Sequence, residues 1–134
     1  VLRLRHDVVM IGRATVTPLP IDVHSRLVQP LAKLSDAMSS YLKTSAEALR
    51  LGAGAPAILP VQTALEAYAA EIAAMRGEGL TRGLPGDMTE RFFALGFSLE
   101  QMRQNLKDLE RCVSEWADRS EPTARNAEDP AEIA

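Results

Sequence analysis

ERFFALGFSLEQMRQNLKDLERCVSEWA, residues 90–117, carries Phe92, Leu95, Leu99, Met102, Leu106, Leu109, Val113 and Trp116 at alternating steps of three and four. A repeat of that kind keeps one side of an α-helix apolar along its whole length. It predicts a rod of about 45 Å, taking ~1.5 Å per residue over about thirty residues. The same stripe serves either as a seam for a partner helix or as the core face of a helix inside a bundle. Phe93 and Phe97 lie beside it and widen the apolar face past what a two-stranded seam uses, which favours a bundle core. Asp87 followed by Glu90 reads as a capping box that starts this helix.

Working upstream, three more segments have apolar residues at helical spacing, and none shows a sustained period of two. The nearest begins around Pro60 and puts Val61, Leu65, Tyr68, Ile72 and Met75 on one face, ending at Gly77 or Gly79. Before it, Asp22 is the expected N-cap of a long helix reaching Leu51, with the stripe Leu27, Leu31, Leu34, Met38, Tyr41, Ser45 and Ala48. Pro30 lies inside that helix. It removes a backbone donor, so a kink or short break is expected near Arg26 to Pro30. Gly52, Gly54 and Pro56 end the helix. The first segment, Val1 to about Thr15, sets Leu4, Val8, Ile11 and Thr15 on one face and stops ahead of Pro18 and Pro20. These readings predict an all-α fold, an antiparallel four-helix bundle with two long and two shorter helices. The bundle is expected over residues 1–118, and residues 119–134, rich in acids and holding two prolines, are expected to form a disordered acidic tail.

A chain of 134 residues is the size of one domain. Its net charge of -3 and pI near 5.4 provide no basic field for a phosphate backbone, so nucleic acid is not an expected partner. One cysteine, Cys112, permits no internal disulfide and fits a reducing compartment. No stretch approaches the roughly 20 apolar residues of a membrane span. The opening run VLRLRHDVVMIGRA has no signal-peptide pattern and begins with valine, and the chain is expected to be a fragment of a longer protein.

Catalytic, cofactor-binding and metal-binding residues are not expected. His6 and Asp7 are adjacent in sequence, but neighbouring helix positions point about 100° apart and do not make a dyad. His24 is isolated, and Cys112 has no cysteine or histidine at ligand spacing, so it is expected to pack near Val113 and Trp116 as a small hydrophobe. Gly52-Ala53-Gly54 lacks the lysine of a phosphate-binding loop. Glu66, Glu71, Glu100 and Glu110 are expected to be solvated. The polar constellation that stands out is the row Arg3, His6, Met10 and Arg13, with Arg5 nearby. Arginine forks match carboxylates and histidine changes charge near neutral pH, so Arg3, Arg5, His6 and Arg13 are candidates for holding an organic anion. The row reads first, however, as the solvated side of an amphipathic helix or a cationic collar at a membrane interface.

Two blocks, LRLRHDVVMIGRA at the start and ERFFALGFSLEQMRQNLKDLERCVSEWA from Glu90 to Ala117, resemble the soluble region of the fusaric acid resistance and aromatic acid exporter-like family of bacterial inner-membrane proteins. In that family an Arg-His-Asp block follows a group of membrane helices. The resemblance implies a cytoplasmic accessory domain, on the inner face of the inner membrane, of an efflux permease for aromatic or other organic acids. Its partner would be the membrane-embedded part of the same protein. The membrane helices are absent from this chain, so an organic acid substrate is not shown by these residues. The alternative is a free-standing helical adaptor or oligomerisation module that binds partner helices, with a homo-oligomer as one form.

Overall fold

A computed structural model of the chain describes residues 2–14 and 18–125, with side chains as far as residue 119. Four helices follow one another: α1 (Leu2–Ala14), α2 (Ile21–Leu51), α3 (Leu59–Gly77) and α4 (Gly86–Arg125). Among the described residues there is no strand. The all-α bundle with two long and two shorter helices is therefore the observed fold. Consecutive helices run in opposite directions. Arg26 near the start of α2 reaches Glu71 and Glu78 towards the end of α3, and Leu2 to Leu4 at the start of α1 stand beside Asn105 to Cys112 of α4 whereas Arg13 and Ala14 at its end stand beside Asp87 to Ala94.

The core is the one the spacing predicts. Leu27, Leu34 and Tyr41 of α2 and Val61, Leu65, Tyr68 and Met75 of α3 are buried together with Phe92, Leu95, Leu99, Met102 and Leu106 of α4. Burying side chains of this size stabilises the fold by about 1.5–3 kcal/mol each. Gly52 adopts a left-handed conformation, φ 66°, and donates to the carbonyl of Ala48. A side chain is strained at that angle, and the stop at glycine follows.

The pairing of helices is uneven. α1 packs on α4 and α2 packs on α3, with smaller contacts from both α2 and α3 to α4. Among the described residues, no Cα of α1 lies within 8 Å of a Cα of α2 or α3. One edge of the bundle is thus left open.

Several expectations need correction. Pro20, not Asp22, occupies the N-cap of α2: its carbonyl accepts from the His24 amide at 2.9 Å, and Asp22 falls inside the first turn. There its carboxylate still complements the positive helix end. Of the two outcomes expected at Pro30, the short break does not occur: α2 stays helical across it, because one lost donor is tolerated when a long face is held by packing. The Asp87 capping box does not form in its expected register. α4 begins at Gly86 and the Pro85 carbonyl accepts from both the amide and the hydroxyl of Thr89, at 3.0 and 3.2 Å. α4 also continues to Arg125, through the first residues of the expected tail. The rest of that tail, with Val1, Thr15 and Thr17, lies outside the described residues.

On α1 the buried face is rotated by one position from the expected stripe. Asp7 is buried, flanked by half-buried Leu4, Ile11 and Ala14, and Val8 is 58% exposed. On α4, Phe93 and Phe97 are exposed and do not widen the core. Trp116 is 52% exposed, and Cys112 is exposed rather than packed as a small hydrophobe. Leu2, Arg3 and Leu4 of α1 stand beside Asn105, Asp108 and Cys112. The remaining stripe residues Phe92, Leu95, Leu99, Met102, Leu106 and Val113 are buried, and Leu109 is half-buried.

Candidate functional site

Because α1 rests on α4 and stands off from α2, a groove of about 450 Å³ opens between them. Val8 and Ile11 form one wall, Leu31, Met38 and Leu42 the other, and Leu95, Leu99 and Met102 of α4 the floor. Ser35 and Ser39 stand on the α2 side, and among the described residues no charged side chain lines the groove. A concave apolar surface of this kind takes the apolar face of a helix or another apolar group.

The arm that forms one wall is fixed by a polar contact. Asn105 of α4 donates from Nδ2 to the Asp7 carboxylate at 2.5 Å, both residues being more than nine-tenths buried. A carboxylate inside an apolar contact is costly unless it is hydrogen-bonded, so the pair specifies which face of α1 meets α4. Sequence reasoning weighed Asp7 only as a catalytic partner of His6. The available signal was its position between Leu4 and Ile11, three and four residues away, opposite an Asn105 set between Met102 and Leu106.

Arg3, Arg5, His6 and Arg13 are all exposed, and Met10 between them is half-buried. They do not converge. Arg3 stands by Asp108, Arg111 and Cys112, whereas Arg13 stands by Asp87, Glu90 and Arg91, about 15 Å along the helix at ~1.5 Å per residue. The row is a spread cationic face rather than a single anion pocket.

Elsewhere charge ties helices together. Arg26 donates through Nε to Glu71 at 2.5 Å and through a terminal nitrogen to Glu78, and these carboxylates hold its guanidinium pKa above the ordinary value, Glu78 first. Glu71 is therefore an ion-pair partner and not a freely solvated acid. Glu100 accepts from Arg103 on the next turn at 2.6 Å, which draws its carboxyl below the usual range. The Arg76 guanidinium sits 4.5 Å from the Phe93 ring centre, a cation–π contact, and the Phe92 ring meets the same ring edge-on at 6.5 Å between centroids. The Tyr41 hydroxyl donates to the Leu106 carbonyl at 3.2 Å, whereas the buried Tyr68 hydroxyl has no protein partner, and burial pushes its pKa up to about 12. Among the described residues no group of three or more His, Cys, Asp or Glu is placed to hold a metal ion. No described helix is long and apolar enough to cross a membrane.

The fold and this surface define a helical bundle with one open apolar edge and one cationic edge. Comparison with known protein families, with curated proteins and with solved structures gives no match for the chain.

Proposed function

We propose that the chain is an accessory helical domain of an inner-membrane exporter for aromatic or other organic acids, of the kind its two end blocks resemble, acting through packing rather than chemistry. The observation that carries the reading is that those two blocks, far apart in sequence, fold as one unit. LRLRHDVVMIGRA is α1, ERFFALGFSLEQMRQNLKDLERCVSEWA lies in α4, and Asp7 of the Arg-His-Asp block joins them through Asn105. In this reading the aspartate is the anchor that fixes α1, and the arginines beside it are left outward to meet anionic lipid headgroups. The domain then supports assembly or access on the cytoplasmic side, and the open groove receives a helix. The test is deletion of the gene, followed by complementation with the intact protein or with a version lacking this bundle. Hypersensitivity to aromatic acids that only the intact protein reverses is expected. Unchanged sensitivity in the deletion strain overturns the exporter assignment.

The uncharged groove favours a second reading, a free-standing adaptor that captures a partner helix. The two differ in whether membrane spans belong to the same polypeptide.

A further inference from the structure

α1 is the helix least able to stand by itself. It has 13 residues, near the length at which an isolated helix is marginal in water, and Val8, Val9, Ile11 and Gly12 lower its propensity further. Its first turn holds no acidic residue. Arg3 and Arg5 stand there instead, against the positive end of the helix dipole. Packing must therefore keep this segment helical, and the packing is sparse. α3, at 19 residues, buries Val61, Leu65, Tyr68 and Met75, whereas the fully buried residue described in α1 is the carboxylate Asp7, with Leu4, Ile11 and Ala14 half-buried around it. The fully buried members of the hydrophobic core come from α2, α3, α4 and Ile58 at the start of α3, and none from α1.

Open space flanks the contact between α1 and α4 on three sides. A cleft of about 470 Å³ lies at the start of α1, one of about 350 Å³ at its end, and the groove runs along the side that faces α2. The surface of α4 at these two ends is mostly polar: Asn105, Asp108 and Arg111 stand beside Leu2 to Leu4, and Asp87, Glu90 and Arg91 beside Met10 to Ala14. A surface of that composition can return to water without laying open the core. Few buried apolar contacts and a solvated surround mark the segments of a protein that open at low cost. We propose that α1 is a releasable arm: it leaves α4 and loses its helix as one unit, while α2, α3 and α4 keep their packing. Release removes the Val8 and Ile11 wall of the groove and frees the Asn105 amide from Asp7, so the position of α1 sets how far the groove is open. Asp7 is the latch of the docked state. This inference is independent of the exporter assignment.

The experiment is native-state hydrogen exchange on the full chain, read residue by residue by NMR over a series of low urea concentrations. Without urea, the amides of His6 to Ala14 are expected to exchange at least about a hundredfold faster than those of Leu99 to Leu106, and with a shallower dependence on urea, because their opening exposes only part of the surface that global unfolding exposes. Equal rates with equal urea dependence in the two segments overturn the proposal, since α1 would then open only when the whole bundle unfolds. A second variant forces the arm off. Leu4→Asp combined with Ile11→Asp places two charges in the contact with α4. It is expected to leave His6 to Ala14 unprotected while the amides from Leu65 to Met75 in α3 stay protected. Loss of protection in α3 together with α1 would show that the other three helices do not hold without the arm, and would equally overturn the proposal.

Discussion

Asn105 and Asp7 meet at 2.5 Å inside the contact between α4 and α1, and they are the buried polar pair that joins the first helix to the last. Among the described residues no Cα of α1 comes within 8 Å of a Cα of α2 or α3, so its seat on α4 rests largely on this pair and on Leu4, Ile11 and Ala14 around it. Asp7→Ala leaves the Asn105 amide without its acceptor and is expected to cost about 1–3 kcal/mol in urea unfolding. Combined with Asn105→Ala, the loss should fall short of the sum of the single losses by at least about 0.5 kcal/mol, since the two act through one contact. Strict additivity would show that the pair does not hold α1.

Leu106 is fully buried at the centre of α4, and Leu106→Ala is expected to destabilise by roughly 2–5 kcal/mol, the cost of emptying such a site. Phe97, 72% exposed on the same helix, provides the contrast: Phe97→Ala should stay within about 0.5 kcal/mol. Denaturant midpoints of the two variants decide whether the stripe or the second aromatic edge forms the core.

That contrast shows what the sequence could and could not specify. The stripe from Phe92 to Val113 was legible because a repeat of three and four fixes which side of a helix is apolar. The same holds for Leu27, Leu34, Val61 and Met75. Phe93, Phe97 and Trp116 misled because a helix's own pattern does not say how many neighbours it has or where they end. Among the described residues Trp116 is 52% and Phe97 72% exposed. Asp7 was illegible for a different reason. A carboxylate in an apolar stripe reads as an interruption until its partner, almost a hundred positions away in sequence, is known to face it. The dispersal of the basic row along α1 follows from helix rise alone.

Tyr68 and Tyr41 separate two uses of a buried phenol. Tyr41 donates to the Leu106 carbonyl, so Tyr41→Phe is expected to cost about 1 kcal/mol, whereas Tyr68 lacks a protein partner and Tyr68→Phe should be neutral or stabilising. The pH dependence follows from burial, which raises Tyr68 from 10.0 to about 12. A group whose folded pKa lies above its unfolded value favours the folded state fully below the unfolded pKa and loses that contribution as pH rises to the folded one. Stability should therefore fall between about pH 10 and 12. Tyr68→Phe should flatten that part of the profile, and an unchanged profile would show that Tyr68 is not the titrating group.

The cationic face of α1 makes a claim about charge rather than shape. In the intact protein, replacing Arg3, Arg5 and Arg13 together with lysine keeps every charge and removes the planar forks. If the exporter proposal holds, membrane insertion and resistance to organic acids persist in that variant. Replacing the same three with glutamate is expected to abolish both through repulsion from anionic headgroups. A lysine variant that inserts normally yet loses efflux would instead make Arg3, His6 and Arg13 candidates for binding substrate.

Where the intact polypeptide resides tests the exporter reading most directly. Expressed from its own gene and detected with an antibody against the exposed side of α4, it is expected to stay in the inner-membrane pellet after an alkaline carbonate wash that strips peripheral proteins. Recovery of the intact polypeptide in the soluble fraction would contradict the exporter assignment and leave the free-standing helical adaptor.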